Sequence, residues 1–121
     1  MILKNNFYTI LAQEKTENGL NCRLKLNSNH SIFEGHFPSN PVTPGVVEME
    51  MVKEMVGDFL GRSAQLKKMS SCKLLAILNP IEHPEISIVI ECSTTEDGFL
   101  KVNAQLHSTE LVFMKMTAFY R

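Results

Sequence analysis

The chain predicts an α+β fold in which an antiparallel sheet curves around one long helix. Three observations carry this reading. A helical pattern, PGVVEMEMVKEMVGDFL from Pro44 to Leu60, is apolar over more than half its circumference and so needs covering on most sides. Ahead of it, Leu20, Cys22, Leu24 and Leu26 alternate with Asn21, Arg23, Lys25 and Asn27, the pattern of a half-buried strand. From Gln65 onward the remaining segments again read as strands separated by turn signals.

Taken in order, residues 6–15 (NFYTILAQEK) predict a first strand, and Glu17-Asn18-Gly19 the turn into the alternating second one. A polar loop, NSNHS, leads to Ile32 and Phe33. Pro38, Pro41 and Pro44 exclude a regular helix or central strand across Gly35 to Thr43, which leaves a shaped loop. Thr43 is the expected N-cap, with Pro44 at the first helical position, where a missing N–H costs nothing. On the helix, Val46, Met49, Val52, Val56, Phe59 and Leu60 are expected to form the buried side, widened by Met51 and Met55. Glu50, Glu54, Gly57 and Gly61 share the narrower remaining face, and Gly61 also suits the helix end. Strands then follow over 66–78, around 86–91, over 99–107 and over 111–120, with Pro80, Pro84 and the Asp97-Gly98 turn as interruptions. Two strands, one helix and four strands are expected in one domain spanning 1–121, with no repeat, linker or low-complexity tract.

Composition sets the outer bounds. A chain of 121 residues can bury a core without disulfides or metals, and 44% hydrophobic with 21% charged residues is ordinary for a soluble globular protein. A net charge of -1 gives no basis for nucleic acid or an anionic membrane as partner. Cys22, Cys72 and Cys92 are odd in number and lack CxxC spacing, so they read as reduced, semi-buried side chains and as neither a disulfide frame nor a metal site. The apolar run in MILKNNFYTI is too short for a signal peptide, and nothing later is long enough to cross a bilayer. The expected compartment is the cytoplasm.

The chemistry concentrates where the proline-locked loop carrying His36 delivers the chain into the helix carrying Glu50. An imidazole titrates near working pH and suits a general base. A carboxyl on an apolar helix suits a general acid if burial lets it hold a proton, although Glu50 can equally be an edge carboxylate meeting solvent or a lysine. Gly45 stands at the helix N-terminus, where unpaired N–H groups and the dipole favour developing negative charge and where no side chain bars a ligand. Glu54 reads as structural or solvated, and His30, His83 and His107 as surface or packing residues. Met49, Met51 and Met55 read as core filling able to line an adaptable apolar tunnel. Arg62, Lys67, Lys68 and Lys73 are the densest basic group, by default a solvated face.

The run GHFPSNPVTPGVVEME resembles the GHFPGxPxxPGxxxxE signature of the beta-hydroxyacyl-acyl-carrier-protein dehydratases, including the fourteen-residue step from His36 to Glu50. The resemblance implies a hot-dog fold and dehydration of a (3R)-hydroxyacyl thioester to the trans-2-enoyl product. It implies His36 as base, Glu50 as acid and the Gly45 amide on the thioester carbonyl, with Phe37 and Val46 as further substrate contacts. It also implies a homodimer, able to assemble further, in which the histidine of one subunit works with the acid of the other beside an acyl tunnel. No cofactor or metal is implied, because the substrate arrives on the phosphopantetheine of an acyl carrier protein. Such carriers are acidic, which makes Arg62, Lys67, Lys68 and Lys73 a candidate docking patch. Two rivals stand beside this reading: a hot-dog thioesterase in which Glu50 activates water, and a non-catalytic acyl-binding subunit. The departures are Ser39 for the glycine after GHFP, Glu54 for glutamine, and IEHPE around His83 and Pro84 for a PGD turn. The LPHRxPxLLxD pattern ahead of the first strand is also absent from the sequence. These differences point to a divergent branch in a specialised acyl or polyene pathway, and glutamate at position 50 leans against double-bond isomerisation.

Overall fold

A computed structural model describes residues 2–34 and 40–121. Its elements follow the predicted order: β1 (Tyr8–Thr16), β2 (Gly19–Leu26), α1 (Gly45–Leu60), β3 (Leu66–Leu74), β4 (Glu85–Thr94), β5 (Leu100–His107) and β6 (Val112–Tyr120). The strands form one antiparallel sheet in the order β1-β2-β4-β5-β6-β3, closing on α1 as a hot-dog fold. Among the described residues, no helix is long and apolar enough to cross a membrane.

Alternation places one row of each central strand against the helix. Leu20, Cys22 and Leu24 lie opposite Ile90, Ile88 and Ile86, and Ile88 and Ile90 in turn lie opposite Leu106 and Ala104. Ala104 and Leu106 then meet Met116 and Met114, so a continuous apolar concave surface runs from β2 to β6, and all of these residues are buried. Gly61, at φ 72, ends α1 in the left-handed conformation that favours glycine, its N–H bonded to the Gly57 carbonyl.

The helix differs from its sequence reading in start and in rotation. Pro44 is extended, at φ -62 and ψ 146, and is the N-cap, so α1 begins at Gly45. Thr43 does not cap it. The Thr43 N–H is held by the Leu78 carbonyl at 2.9 Å, and its hydroxyl is buried without a partner. The buried face of α1 is Val47, Glu48, Met51, Val52, Met55 and Val56. Met49, Phe59 and Leu60 are only partly buried, and Val46 is 72% exposed. Relative to the expected face, the helix is turned about its axis by roughly a quarter turn.

The cause lies in the chain before β1. Residues 3–7 fold back as a turn, with Asn5 at φ 63 and Leu3 and Phe7 fully buried. The Glu54 carboxylate closes that turn, accepting the Leu3 N–H at 2.7 Å, the Lys4 N–H at 3.0 Å and the Tyr8 hydroxyl at 2.9 Å. Lys4 adds an ion pair to Asp58 at 3.7 Å. Burial, followed by the Glu54 charge, pushes the Tyr8 hydroxyl well above the ordinary phenol range, so it stays a donor. The structural reading of Glu54 therefore holds.

Strand β3 stops at Leu74 and does not continue to 78. The Leu75 and Ala76 N–H groups both turn to the Phe113 carbonyl, and Leu78 dives into the core. Asn79 then builds the turn that replaces PGD: its Oδ1 accepts from the Ile81 and Glu82 N–H groups, and its Nδ2 donates to Asn40 Oδ1 at 2.8 Å. His83 packs edge-on against Phe113 with ring centroids 5.0 Å apart. All three cysteines are free, but semi-buried fits only Cys92; Cys22 is in the core and Cys72 is exposed.

Glu54→Ala strands two backbone N–H groups and a phenol, and is expected to lower unfolding free energy by about 2–3 kcal/mol. Glu54→Gln keeps one acceptor oxygen and should lose roughly half as much. Urea titration of the three proteins checks both.

Candidate active site

His36 and Phe37 lie outside the described residues, with Gly35, Pro38 and Ser39. Both flanks of their loop are fixed. On the entry side, the 3-10 turn Ser31–Phe33 is capped by His30, whose ring nitrogen accepts the Ile32 N–H, and Phe33 and His30 both pack on Phe7. On the exit side, Asn40 is tied to Asn79, Pro41 is buried and Thr43 is tied to Leu78. The packing roles read for His30 and His83 thus hold, and His107 hydrogen-bonds the Ser108 carbonyl.

The loop delivers the chain to an open helix N-terminus. Pro44 gives α1 no side-chain cap, while its carbonyl takes the Val47 and Glu48 N–H groups. At Gly45, a Cβ would stand 2.8 Å from Leu74 Cδ1, so the half-exposed Leu74 side chain packs close against the helix start. Val46, expected as a substrate contact, points out from the single chain at 72% exposure.

Two carboxyls follow within the first two turns, and their environments differ. Glu50 is half-buried and stands on the far side of α1 from the core-facing stripe; with burial, its charge helps push the Tyr120 hydroxyl up to about 12. Glu48 is only 3% exposed, at the middle of the buried face, and its Oε1 has no hydrogen-bond partner. Burial pushes the Glu48 carboxyl from 4.5 up to about 8, so it holds a proton at neutral pH. Cys72 on β3, in register with Met116 on β6, feels burial and then the Glu48 charge, both raising its thiol.

The sequence reading weighed Glu50 and Glu54 and passed over Glu48. The signal was there: Glu48 falls three and four residues before Met51 and Val52 and one residue after Val47. At 100° per residue it also falls between Met55 and Phe59, inside the expected apolar arc.

The basic group divides. Arg62, Lys67 and Lys68 gather where α1 ends and β3 begins, with Lys68 over the Phe119 ring at 5.8 Å. Lys73 lies at the other end of β3, opposite Lys115. Together with Val89, Glu91, Asn103 and Met116, those two lysines line an open hollow of about 430 Å³ of mixed character.

Glu48 gives a pH signature. Between pH 4.5 and about 8 the folded chain keeps a proton that the unfolded chain has lost, so stability falls as pH rises across that window. Glu48→Met should remove this slope and be more stable than the parent by about 4 kcal/mol at pH 8, with the gap narrowing toward pH 4.5. Denaturant melts of both proteins across that range measure it.

Comparison with known proteins places this arrangement. The pattern defining the ApeI-like family, the ApeI dehydratases, matches residues 12–111. The 3-hydroxyacyl-[acyl-carrier-protein] dehydratase FabZ of Lactobacillus helveticus is 27% identical, over 94% of this chain and 88% of that one. The enzyme of the same name from Levilactobacillus brevis is 28% identical, over 88% and 80%. Among solved structures, the dehydratase heterocomplex ApeI:P of Xenorhabdus doucetiae superposes with a TM-score of 0.67 at 18% identity, covering 93% of this chain and 96% of that one. A mutant thioesterase from Pseudomonas aeruginosa gives 0.67 at 8% identity, over 96% and 81%, and shares the fold alone. With the hot-dog sheet and the signature loop leading into α1, a match over residues 12–111 makes this chain a member of the ApeI-like dehydratase family.

Proposed function

We propose that the chain is a cytoplasmic dehydratase that converts (3R)-hydroxyacyl thioesters of an acyl carrier protein into trans-2-enoyl thioesters, in a specialised acyl or polyene pathway. The observation that carries this reading is an uncapped helix N-terminus, fed by the signature loop, with Gly45 at its first position and Glu50 in its second turn. His36 takes the C2 proton as the thioester carbonyl gathers negative charge against the Gly45 N–H. The C3–O bond then breaks, Glu50 protonates the departing hydroxyl, and water leaves. Phe37 and Val46 shape the entrance. No metal or dissociable cofactor takes part; phosphopantetheine comes with the substrate.

A homodimer completes the site in this reading. Among the described residues, strand β3 is a sheet edge paired to β6, and beside it lie exposed Val46, Leu74, Leu75 and Ile77. Antiparallel pairing of β3 with its copy across a twofold axis covers those side chains. It also sets the Lys67 and Lys68 end of one β3 beside the Lys73 end of the other. The basic group split within one chain is thereby reunited near Gly45, as a docking surface for an acidic carrier.

Incubated with a 3-hydroxyacyl thioester, the protein should yield enoyl product and release no thiol from a saturated acyl thioester; the reverse pattern identifies a thioesterase. His36→Ala and Glu50→Gln should each lower dehydration by about a hundredfold or more, and a protein inactive from the start identifies a non-catalytic subunit.

Mixing those two inactive variants after subunit exchange tests the dimer. If base and acid come from opposite chains, each mixed dimer regains one intact site, and about a quarter of parental activity should return. No recovery, with exchange verified by mass, places both groups in one chain.

A further inference from the structure

Among the described residues, the buried side-chain oxygens that lack a hydrogen-bond partner are two, Thr43 Oγ1 and Glu48 Oε1. Both stand at the start of α1, and both side chains are nineteen-twentieths buried or more. Folded chains seldom leave such atoms unpaired without a use for them. The bland account of Glu48, a first-turn acid complementing the helix dipole, suits a solvent-facing carboxylate; this one sits at the middle of the buried face. A helical side chain leans back over the preceding turn, so the Glu48 carboxyl lies toward Gly45 on the side facing the sheet. Gly45 against Leu74 and Glu48 acting on Cys72 place this first turn along the concave side of β3. Behind Glu48, Met51 and Met55 continue the same face, fully buried. Thioether chains repack readily.

We propose that Glu48 is the specificity residue of the acyl slot, hydrogen-bonding an oxygen that the acyl group carries beyond C3, a hydroxyl or a carbonyl. This inference rests on the dehydratase reading. A chain held by its thioester at Gly45 and passing under α1 meets Glu48 before it reaches Met51 and Met55. A plain alkyl chain there leaves the carboxyl unpaired, whereas an oxygenated one satisfies it. A site built to bond an oxygen discriminates strongly against the analogue lacking it. Carrying a proton at neutral pH, Glu48 donates to a carbonyl and can accept from a hydroxyl.

The test uses wild type, Glu48→Gln and Glu48→Met on length-matched 3-hydroxyacyl thioesters of N-acetylcysteamine. One series is plain alkyl, and in the other a carbonyl is stepped along the chain beyond C4. Wild type should prefer the best oxygenated substrate by about tenfold in kcat/KM, chiefly through KM. Glu48→Gln, still a donor and acceptor, should keep most of that preference, and Glu48→Met should abolish or reverse it. Equal preference in wild type and Glu48→Met, or none in wild type, overturns the inference. Calorimetric binding of the matching enoyl thioesters separates this from the reaction itself. Glu48-dependent preference in binding without any dehydration sustains the inference and sinks the dehydratase reading. Binding preference that does not depend on Glu48 overturns the inference whatever the turnover.

Discussion

The rotation of α1 about its own axis decides where every candidate residue on it points, and a carboxylate with three donors sets that rotation. Glu54 accepts from Leu3, Lys4 and Tyr8, tying the helix to the turn before β1 and to β1 itself. Hydrogen bonds to a charged acceptor are stronger and more directional than apolar contact, which leaves a helix free to roll by a few tens of degrees. With Glu54 held on that flank, Met51, Met55 and Glu48 turn toward the sheet, while Glu50, Val46 and Gly57 turn away from it. A glutamine at position 54 has one acceptor oxygen and cannot take all three donors without sharing. The departure from the dehydratase signature at this position therefore matches the turn that precedes β1.

The succession of elements and the strand count were legible in the sequence because alternation is a two-valued signal, whereas the sheet order β1-β2-β4-β5-β6-β3 was not. Leu20, Cys22, Leu24 and Leu26 point one way or the other, and a half-buried sheet allows only one answer. The helix was legible in extent for similar reasons, from the proline run before it and Gly61 after it. Its orientation was not. A helix apolar over more than half its surface carries no sharp moment, so the stripe through Val46, Met49 and Phe59 scores nearly as well as the one through Val47, Met51 and Met55. What breaks the tie is Glu54 bonding to residues some fifty positions earlier, a long-range contact that no local window contains. Glu48 lies within either stripe, between Met55 and Phe59, and its burial as a lone carboxyl comes from packing. Thr43 failed as a cap because Leu78, on the far side of β3, holds its backbone instead. Of the candidate site, the signature made the loop and Gly45 readable; the environments of the carboxyls could only come from packing.

The single chain leaves one region unfinished. Around β3, an unpaired strand edge, four exposed aliphatic side chains and a thiol on the concave side occur together, next to the helix start that carries the candidate chemistry. The opposite edge, β1, reads differently: its exposed residues include Gln13, Glu14 and Lys15, the polar and charged covering that keeps an edge from pairing. Leu11 and, in the segment before β1, Ile2 are its exposed aliphatic side chains. The asymmetry between the two edges is a reason to look for a second chain at β3 and not at β1.

Glu48 and Glu50 show how one helix can hold two acids in different states of use. Two residues apart, they stand about 200° apart around the axis, so they face different media although their backbone positions nearly coincide. Glu50 is half-buried on the side of α1 away from the core stripe, and the Tyr120 hydroxyl feels its charge. Glu48 faces Met51, Met55 and the sheet, where its charged form is costly, and the proton it keeps is the consequence. A buried neutral acid with an idle oxygen lowers the stability of the fold, and an aliphatic side chain would fill the same volume without that cost. The penalty falls at the first turn of α1, beside Gly45 and the open edge of β3, and among the described residues the other unpaired buried oxygen, that of Thr43, falls there too. That cost is the one a hydrogen bond from Glu48 to an oxygenated acyl group would offset.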